Sequence, residues 1–317
     1  QKSWLSTRTF KMKVDGTEKD LSFGEVLNYA NDPAREVRRA AHDSVNSVLS
    51  ANDTIWTEAL NSICSDHLQM SRLRKYSSPI ESSLIFNDVE EVAIKEMMSV
   101  VERNIEFGKR YYATKAKLLG IPKISDCDIL APVSLSQKKY TWEESREIVT
   151  EAYERFDASW GRWINRMFDE RHIDGEVRKG KVAGAFCDDW VSKKSAYILM
   201  SFNGNLHDVF TQAHELGHSV HAYLYTQRQN PSNCLISYCI AECGSIFGEL
   251  LLTDHMLQKA TNDEERKTVL ASVLDTFTYI LFHVGARYAF EQSIYDAIEK
   301  GKSLDAKSVC RLWEEAR

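Results

Sequence analysis

Residues 205–224 read NLHDVFTQAHELGHSVHAYL, and the rest of the chain is interpreted from this stretch outward. Leu206, Val209, Phe210, Ala213, Val220 and Leu224 fall on one side at helical spacing, the pattern of a helix with one buried face. Asn205 stands where an N-cap belongs, and Asp208, three residues on, completes an analogue of the capping box. Asn230-Pro231 ends the segment. Inside it lies His214-Glu215-Leu216-Gly217-His218. On a helix the two histidines sit one turn apart on the same side, so both imidazoles can reach a single ion. Glu215 is rotated by about 100° from His214, so its carboxylate faces water rather than the ion and is a candidate general base. The pentapeptide pattern alone arises by chance in about one chain in 100 of this length. Its surroundings therefore carry the weight.

A tetrahedral zinc held by two histidines needs a third protein ligand, with the fourth position left to water for catalysis. Downstream, ISYCIAECGSIFGELLL (236–252) is apolar and helical in pattern, with two carboxylates, Glu242 and Glu249, inside it. A charge buried in so apolar a helix is costly unless paired or metal-bound, so both are expected to be engaged. Glu242 lies 24 residues past His218, room for a helix end, a loop and a returning helix. Glu249, two turns further on the same face, suits the orientation of a ligand histidine. Gly244 and Gly248, with Gly217 in the first helix, each cost up to about 1 kcal/mol in a helix. Close approach of the two helices would offset that cost.

Cys239 and Cys243 are a rival ligand pair one turn apart, but the C-x-x-C spacing of structural zinc sites is absent. His221 shares the stripe of His214 and His218, yet too wide a span of helix separates it from the first for all three to hold one ion. A substrate-side role, or one supporting a ligand, is expected for it, with a packed, hydrogen-bonded histidine as the alternative. The other histidines, at 42, 67, 172, 207, 255 and 283, have no such neighbours and read as structural.

Composition narrows the function class. The chain has 317 residues, 43% hydrophobic and 27% charged, with only 14 Gly and 5 Pro, a balance that favours long helices. Its formal net charge of −6 offers no basic field for phosphate backbones, which argues against nucleic acid as a partner. No apolar run approaches the roughly 18–20 residues of a membrane helix, and no signal-like core is seen at the start. Seven scattered cysteines read as reduced thiols of a cytoplasmic protein rather than a disulfide framework.

Helical periodicity dominates 22–71, with a break at Asn31-Asp32-Pro33, and a single long helix is expected over about 89–119. Thr141 with Glu144 forms a capping box for a helix that continues through Trp160 and Trp163. The β signals lie between Lys181 and Phe202, in KVAGAFC (181–187) and SAYILMSF (195–202). The basic cluster RKGK (178–181) reads as a solvated turn.

These motifs carry a family resemblance. YILMSFNGNLHDVFTQAHELGHSVHAYL, the preceding KGKVAGAFC and the downstream IAECGSIFGELLL resemble the oligoendopeptidase F branch of the thimet-oligopeptidase family of zinc peptidases. RRAAHDSVNSVL, YYATKAKLLGI, DILAP and ARYAFEQSIYDAIEKGKSL extend the likeness over nearly the whole chain. The resemblance implies one zinc ion held by His214, His218 and Glu242, with Glu215 activating water, and short peptides as substrates. It implies a mainly α fold, a large helical zinc-peptidase domain with a small β-sheet lining the cleft, in which the strand matching YILMSF pairs with the substrate backbone. The expected organisation is a single catalytic domain over 1–317, with 1–175 a mostly helical wall and 176–317 the strands and zinc-site helices. Family members continue past Arg317 into a segment that contacts the tetrahedral intermediate, so the chain is expected to lack the ends of a full-length member. Two rivals remain at this level: a zinc-binding homologue impaired in hydrolysis, and a helical interaction scaffold.

Overall fold

The computed structural model describes residues 4–5, 7–14, 16–129, 131–133, 138–178, 180–182 and 184–317. The fold is mainly α, as expected, and divides into two compact units. One comprises residues 1–41 and 130–273, and the other 42–129 and 274–317.

In the first unit, β1 (Phe10–Val14) and β2 (Thr17–Leu21) form an antiparallel hairpin. This hairpin lies outside the β segments expected at 181–202. Its first strand alternates strictly, with Phe10, Met12 and Val14 buried and Lys11 and Lys13 exposed. Helix α1 (Phe23–Asn28) and the start of α2 (Arg35–Ser50) follow. Helix α7 (Trp142–Phe156) begins at the expected capping box, where Glu144 N donates to Thr141 Oγ1 at 3.0 Å and Thr141 N to Glu144 Oε2 at 2.8 Å. It does not continue through the tryptophans. Asp157 adopts an extended backbone and caps α8 (Ala158–Asp169), accepting from Ser159 N at 2.7 Å. That turn lets Trp163, Ile164 and Met167 of α8 face Val149 and Tyr153 of α7 in one core with Ile198, Val209, Phe210 and Leu216.

Three strands form the second sheet of this unit, in the order β3-β5-β4. They are β3 (Ile173–Asp174), β4 (Phe186–Trp190) and β5 (Ser195–Leu199). Strand β4 runs antiparallel to β5, and β3 lies parallel to it on the other side. The strand signal in 181–187 is thus realised a few residues later, and Ala183 of that stretch lies outside the described residues. Strand β5 is the YILMSF segment, and its central position corrects the expectation that it offers a free edge. The amides of Ile198, Met200 and Phe202 donate to the carbonyls of His172, Asp174 and Gly175, each at 2.9 Å. Among the described residues the two edges of the sheet are β3, only two residues long, and the five-residue β4.

The RKGK cluster is also not a solvated turn. Arg178 chelates Asp174 at 2.8 and 2.6 Å. Lys181, its side chain 3% exposed, donates to Asp174 Oδ1 and to the carbonyls of Asp174, Glu176 and Met200. Lys179 and Leu130, which fall within the RKGK and DILAP readings, lie outside the described residues.

Helices α9 (Leu206–Arg228) and α10 (Tyr238–Lys259) complete this unit, apart from the start of α11 (Asp263–Thr278). Their backbones meet. A Cβ on Gly217 would lie 2.8 Å from Ser245 Cα and closer still to the Gly244 carbonyl. A Cβ on Gly248 would lie 2.7 Å from the Ala213 carbonyl and overlap the Tyr153 hydroxyl. The glycines permit a contact that any side chain would wedge open.

In the second unit, α3 (Asp53–Leu73), α4 (Glu81–Asn87), α5 (Glu91–Arg103) and α6 (Ile105–Leu118) are followed by α12 (Gly285–Glu299) and α13 (Ala306–Ala316). The single helix expected over 89–119 is two, parted at Asn104, whose φ of −108° and ψ of 14° leave the helical region. Cys64 and Leu68 of α3 pack with Ile294, Tyr295 and Leu304. The continuous helical run Asp263–Glu299, with a π-helical stretch at Tyr279–Val284, is long and apolar enough by composition to cross a membrane, contrary to the sequence reading. It carries a polar cluster, in which Asp275 accepts from Lys115 Nζ and Tyr111 Oη, both at 2.6 Å.

Two outcomes test these packing arguments. Gly248→Ala should lower stability by about 1–3 kcal/mol, the range for overpacking, as read by chemical denaturation. Arg178, and then Lys181, hold the Asp174 carboxyl well below the usual carboxylate range, against the opposing effect of desolvation. A carboxyl depressed in the folded state contributes stability above its unfolded pKa of about 3.9 and loses it as pH falls further. The thermal-stability gap between wild type and Asp174→Asn should therefore be constant near neutrality and close as pH drops from about 4 towards 2.

Candidate metal centre

Helix α9 starts as its sequence requires. Asp208 N donates to Asn205 Oδ1 at 2.9 Å, and Asn205 N and Asn203 N donate to Asp208 Oδ2 at 3.1 and 2.7 Å. Val209, Phe210, Ala213, Leu216 and Val220 are buried, and Trp163 Nε1 donates to Ser219 Oγ at 2.9 Å. These contacts fix the rotation of the helix and hence the direction of its histidines.

His214 and His218 stand with ring centroids 5.0 Å apart and planes at 85°. Helix α10 brings Glu242 Oε2 to 3.4 Å from His214 Nε2 and 3.8 Å from His218 Nε2. One ligand atom from each of the three lies within 4.8 Å of the others. Glu249 Oε1 is 2.7 Å from His214 Nδ1. That contact occupies Nδ1 and leaves Nε2 directed at Glu242. His218 hydrogen-bonds the Ala241 carbonyl, and Ser245 Oγ lies 2.7 Å from Glu242 Oε2. Two imidazoles and a carboxylate are a donor set that zinc accepts, and the atoms need only small shifts to reach bonding distance.

Glu215 points elsewhere. It is 5% exposed, and its Oε2 is buried with no hydrogen-bond partner. Burial, offset in part by His214, pushes its carboxyl up to about 7. His214 is moved the other way from most buried histidines: desolvation lowers it, but the hydrogen bond and charge of Glu249 outweigh that and raise it. Burial and the neighbouring His214 lower His218.

His221 is not brought into the cluster. Its Nδ1 is buried without a partner, its ring meets Tyr225 edge-on at 5.4 Å, and burial lowers its pKa. Glu242 also differs from expectation, because its side chain is 53% exposed. Tyr238, Cys239, Ile240, Cys243 and Ile246 around it are exposed as well, so the apolar character of α10 does not mean burial at this end. Ser245, not among the expected site residues, stands three residues after Glu242 on the same helix, a spacing that brings the two side chains together. Nor is Cys187 of β4 among those expected residues. Burial pushes that thiol well up, with the charge of Glu215 the next contribution, so it stays protonated beside the candidate base. No local signal joins residues 187 and 215.

The chain as a whole resembles known proteins. The profile of Peptidase family M3 matches residues 28–317. The chain belongs to peptidase family M3. It is 27% identical over 304 residues to oligopeptidase PepF of Bacillus subtilis, covering 94% of this chain and 45% of that protein. Likewise, it is 27% identical over 300 residues to the chromosomal oligoendopeptidase F of Lactococcus lactis subsp. cremoris, covering 95% and 50%. The chain therefore spans about half the length of the curated relatives it matches. The fold is shared with solved structures. PZ peptidase A with an inhibitor superposes with a TM-score of 0.84 at 15% identity, covering 99% of this chain and 55% of that one. Oligoendopeptidase F from Enterococcus faecium gives 0.67 at 22% identity, covering 98% and 49%. Membership of an M3 peptidase family agrees with the oligoendopeptidase F resemblance read from the motifs.

Removing the contact of Glu249 with His214 should loosen metal binding in this M3 chain. Glu249→Ala is expected to weaken zinc affinity about 10–100-fold, the range for partners that orient a ligand histidine. Competition against a zinc indicator reads this directly, and an unchanged affinity would show that Glu249 does not act through His214.

Proposed function

We propose that this chain carries the zinc site of a peptidase that hydrolyses short peptides, with His214, His218 and Glu242 as the ligands and Glu215 as the general base. The observation that supports the reading best is a division of labour among side chains of α9 and α10. Three donor atoms converge within 4.8 Å, while the neighbouring Glu215 keeps a buried carboxylate oxygen with no partner. An orphaned buried oxygen is costly unless something polar is meant to meet it.

When bound, zinc would act as a Lewis acid, polarising the scissile carbonyl and acidifying water. The chain's own residues do the rest. Glu249 holds His214 so that Nε2 is available. Glu215, raised to about 7 by burial, takes a proton at Oε2 near neutral pH and returns it to the leaving amine. The substrate backbone adds to the free edge of β4, whose inner face carries Cys187 next to Glu215. An extended peptide there supplies the hydrogen bonds that the edge lacks.

Glu215→Gln tests the assignment, because the amide keeps the shape and cannot accept the proton. Zinc content should match wild type, while cleavage of quenched short peptides should fall by about 10²–10⁴. Cleavage at the wild-type rate would sink the base assignment. A zinc content near zero in the purified wild-type chain would sink the metal site.

A further inference from the structure

Strand β4 reads Phe186-Cys187-Asp188-Asp189-Trp190, an unusual composition for the free edge of a small sheet. Its pairing with β5 settles which side chains share a face. Cys187, half-buried, lies opposite the buried Ile198, and Asp189, exposed, lies opposite the buried Ala196, so these two share the face of the sheet towards α9. There Asp189 accepts a hydrogen bond from the Tyr225 hydroxyl. Phe186, Asp188 and Trp190 face the other way.

The outer face is an exposed aromatic platform with one carboxylate in its middle. Asp188 is directly opposite Tyr197, which is 40% exposed, and Phe186 and Trp190 on either side are 47% and 43% exposed. The ring of Tyr197 lies 5.6 Å from Trp190 and 4.5 Å from His172. Asp188 is exposed and carries no hydrogen bond or ion pair among the described residues. One cation already visits the platform: Lys193 Nζ sits over the Trp190 ring at 5.9 Å. Aromatic faces flanking a free carboxylate attract a cation on two grounds, the ring quadrupole and the formal charge.

We infer that Asp188 and Trp190 select a basic side chain, Lys or Arg, in the peptide that adds to the edge of β4. The inference rests on the strand-addition reading above and deepens it. A peptide paired with β4 places alternate side chains on the outer face, with Cβ atoms about 4.5–5.5 Å from the residues opposite. A long aliphatic stem with a terminal charge at that position covers the exposed ring of Trp190 and brings its charge to Asp188. A glutamate there would meet Asp188 instead. The net charge of −6 acts in the same direction over longer range.

The test separates selection from turnover. Fluorescent peptides identical except for Lys, Gln or Glu walked through each position are bound to the zinc-loaded Glu215→Gln chain and followed by polarisation. The same peptides are offered to wild type for cleavage. At one position Lys should bind about tenfold more tightly than Gln at low salt, with Glu weakest. The Lys-over-Gln ratio should shrink at high salt, fall towards one in Asp188→Asn, and invert in favour of Glu in Asp188→Lys. Circular dichroism checks that these exposed substitutions leave the fold intact. Equal binding of Lys, Gln and Glu at every position, or a ratio unmoved by Asp188→Lys, overturns the inference. Selective binding without any cleavage by wild type would leave it standing and sink the peptidase reading instead.

Discussion

The contact of two helix backbones at Gly217 and Gly248 is the constraint on which the candidate site depends. Gly217 meets the backbone of residues 244–245, and Gly248 meets the Ala213 carbonyl together with the Tyr153 hydroxyl. Tyr153 is buried and donates to that same carbonyl at 2.7 Å, so α7 locks the pair from a third side. Short carboxylates on α10 reach imidazoles on α9 only because nothing holds the helices apart. Glu242 and Glu249 then bracket His214, one on each ring nitrogen.

The same closeness sets the electrostatics. Three carboxylates and two imidazoles gather within a small volume that is partly buried, which would be self-defeating without a compensating arrangement. Here the environments push the groups apart. Glu249 is committed to His214, Glu242 stays half in water beside Ser245, and Glu215 is withdrawn into the helix-sheet interface and raised towards neutrality. Groups of one chemical type thereby acquire different environments, the condition under which paired carboxylates can divide acid-base work from binding.

Away from the candidate site, polar pins hold the sheet in register with α9. Lys181 ties the loop after β3 to the Met200 carbonyl at the exit of β5. The chain then needs only a few residues to reach the Asn205 cap, whose partner Asp208 also holds Asn203 N. The approach to α9 is therefore anchored at several successive points, and its rotation is carried forward to His214. The free edge of β4 is presented on the same sheet, which is why the strand proposed to receive substrate and the helix proposed to hold metal keep a fixed relation.

What the sequence by itself determined was local. The cap at Asn205, the face shared by His214 and His218, the separate direction of Glu215 and the spacing of Glu249 all follow from interactions within three or four residues along a helix, where geometry is set by the period alone. The hairpin at residues 10–21 falls outside the β segments expected from sequence, although the alternation of Phe10, Met12 and Val14 and the Asp15-Gly16 dipeptide carry a local signal for it. Tertiary structure decided the rest. An apolar helix such as α10 does not state which of its sides finds a neighbour, so Glu242 is half exposed where burial was expected. Nor does a strand state whether it is an edge: β5 lost that place because residues 172–175 return to take its amides. Such outcomes depend on which non-local segment packs or pairs there most favourably, and no periodicity within either segment encodes that choice.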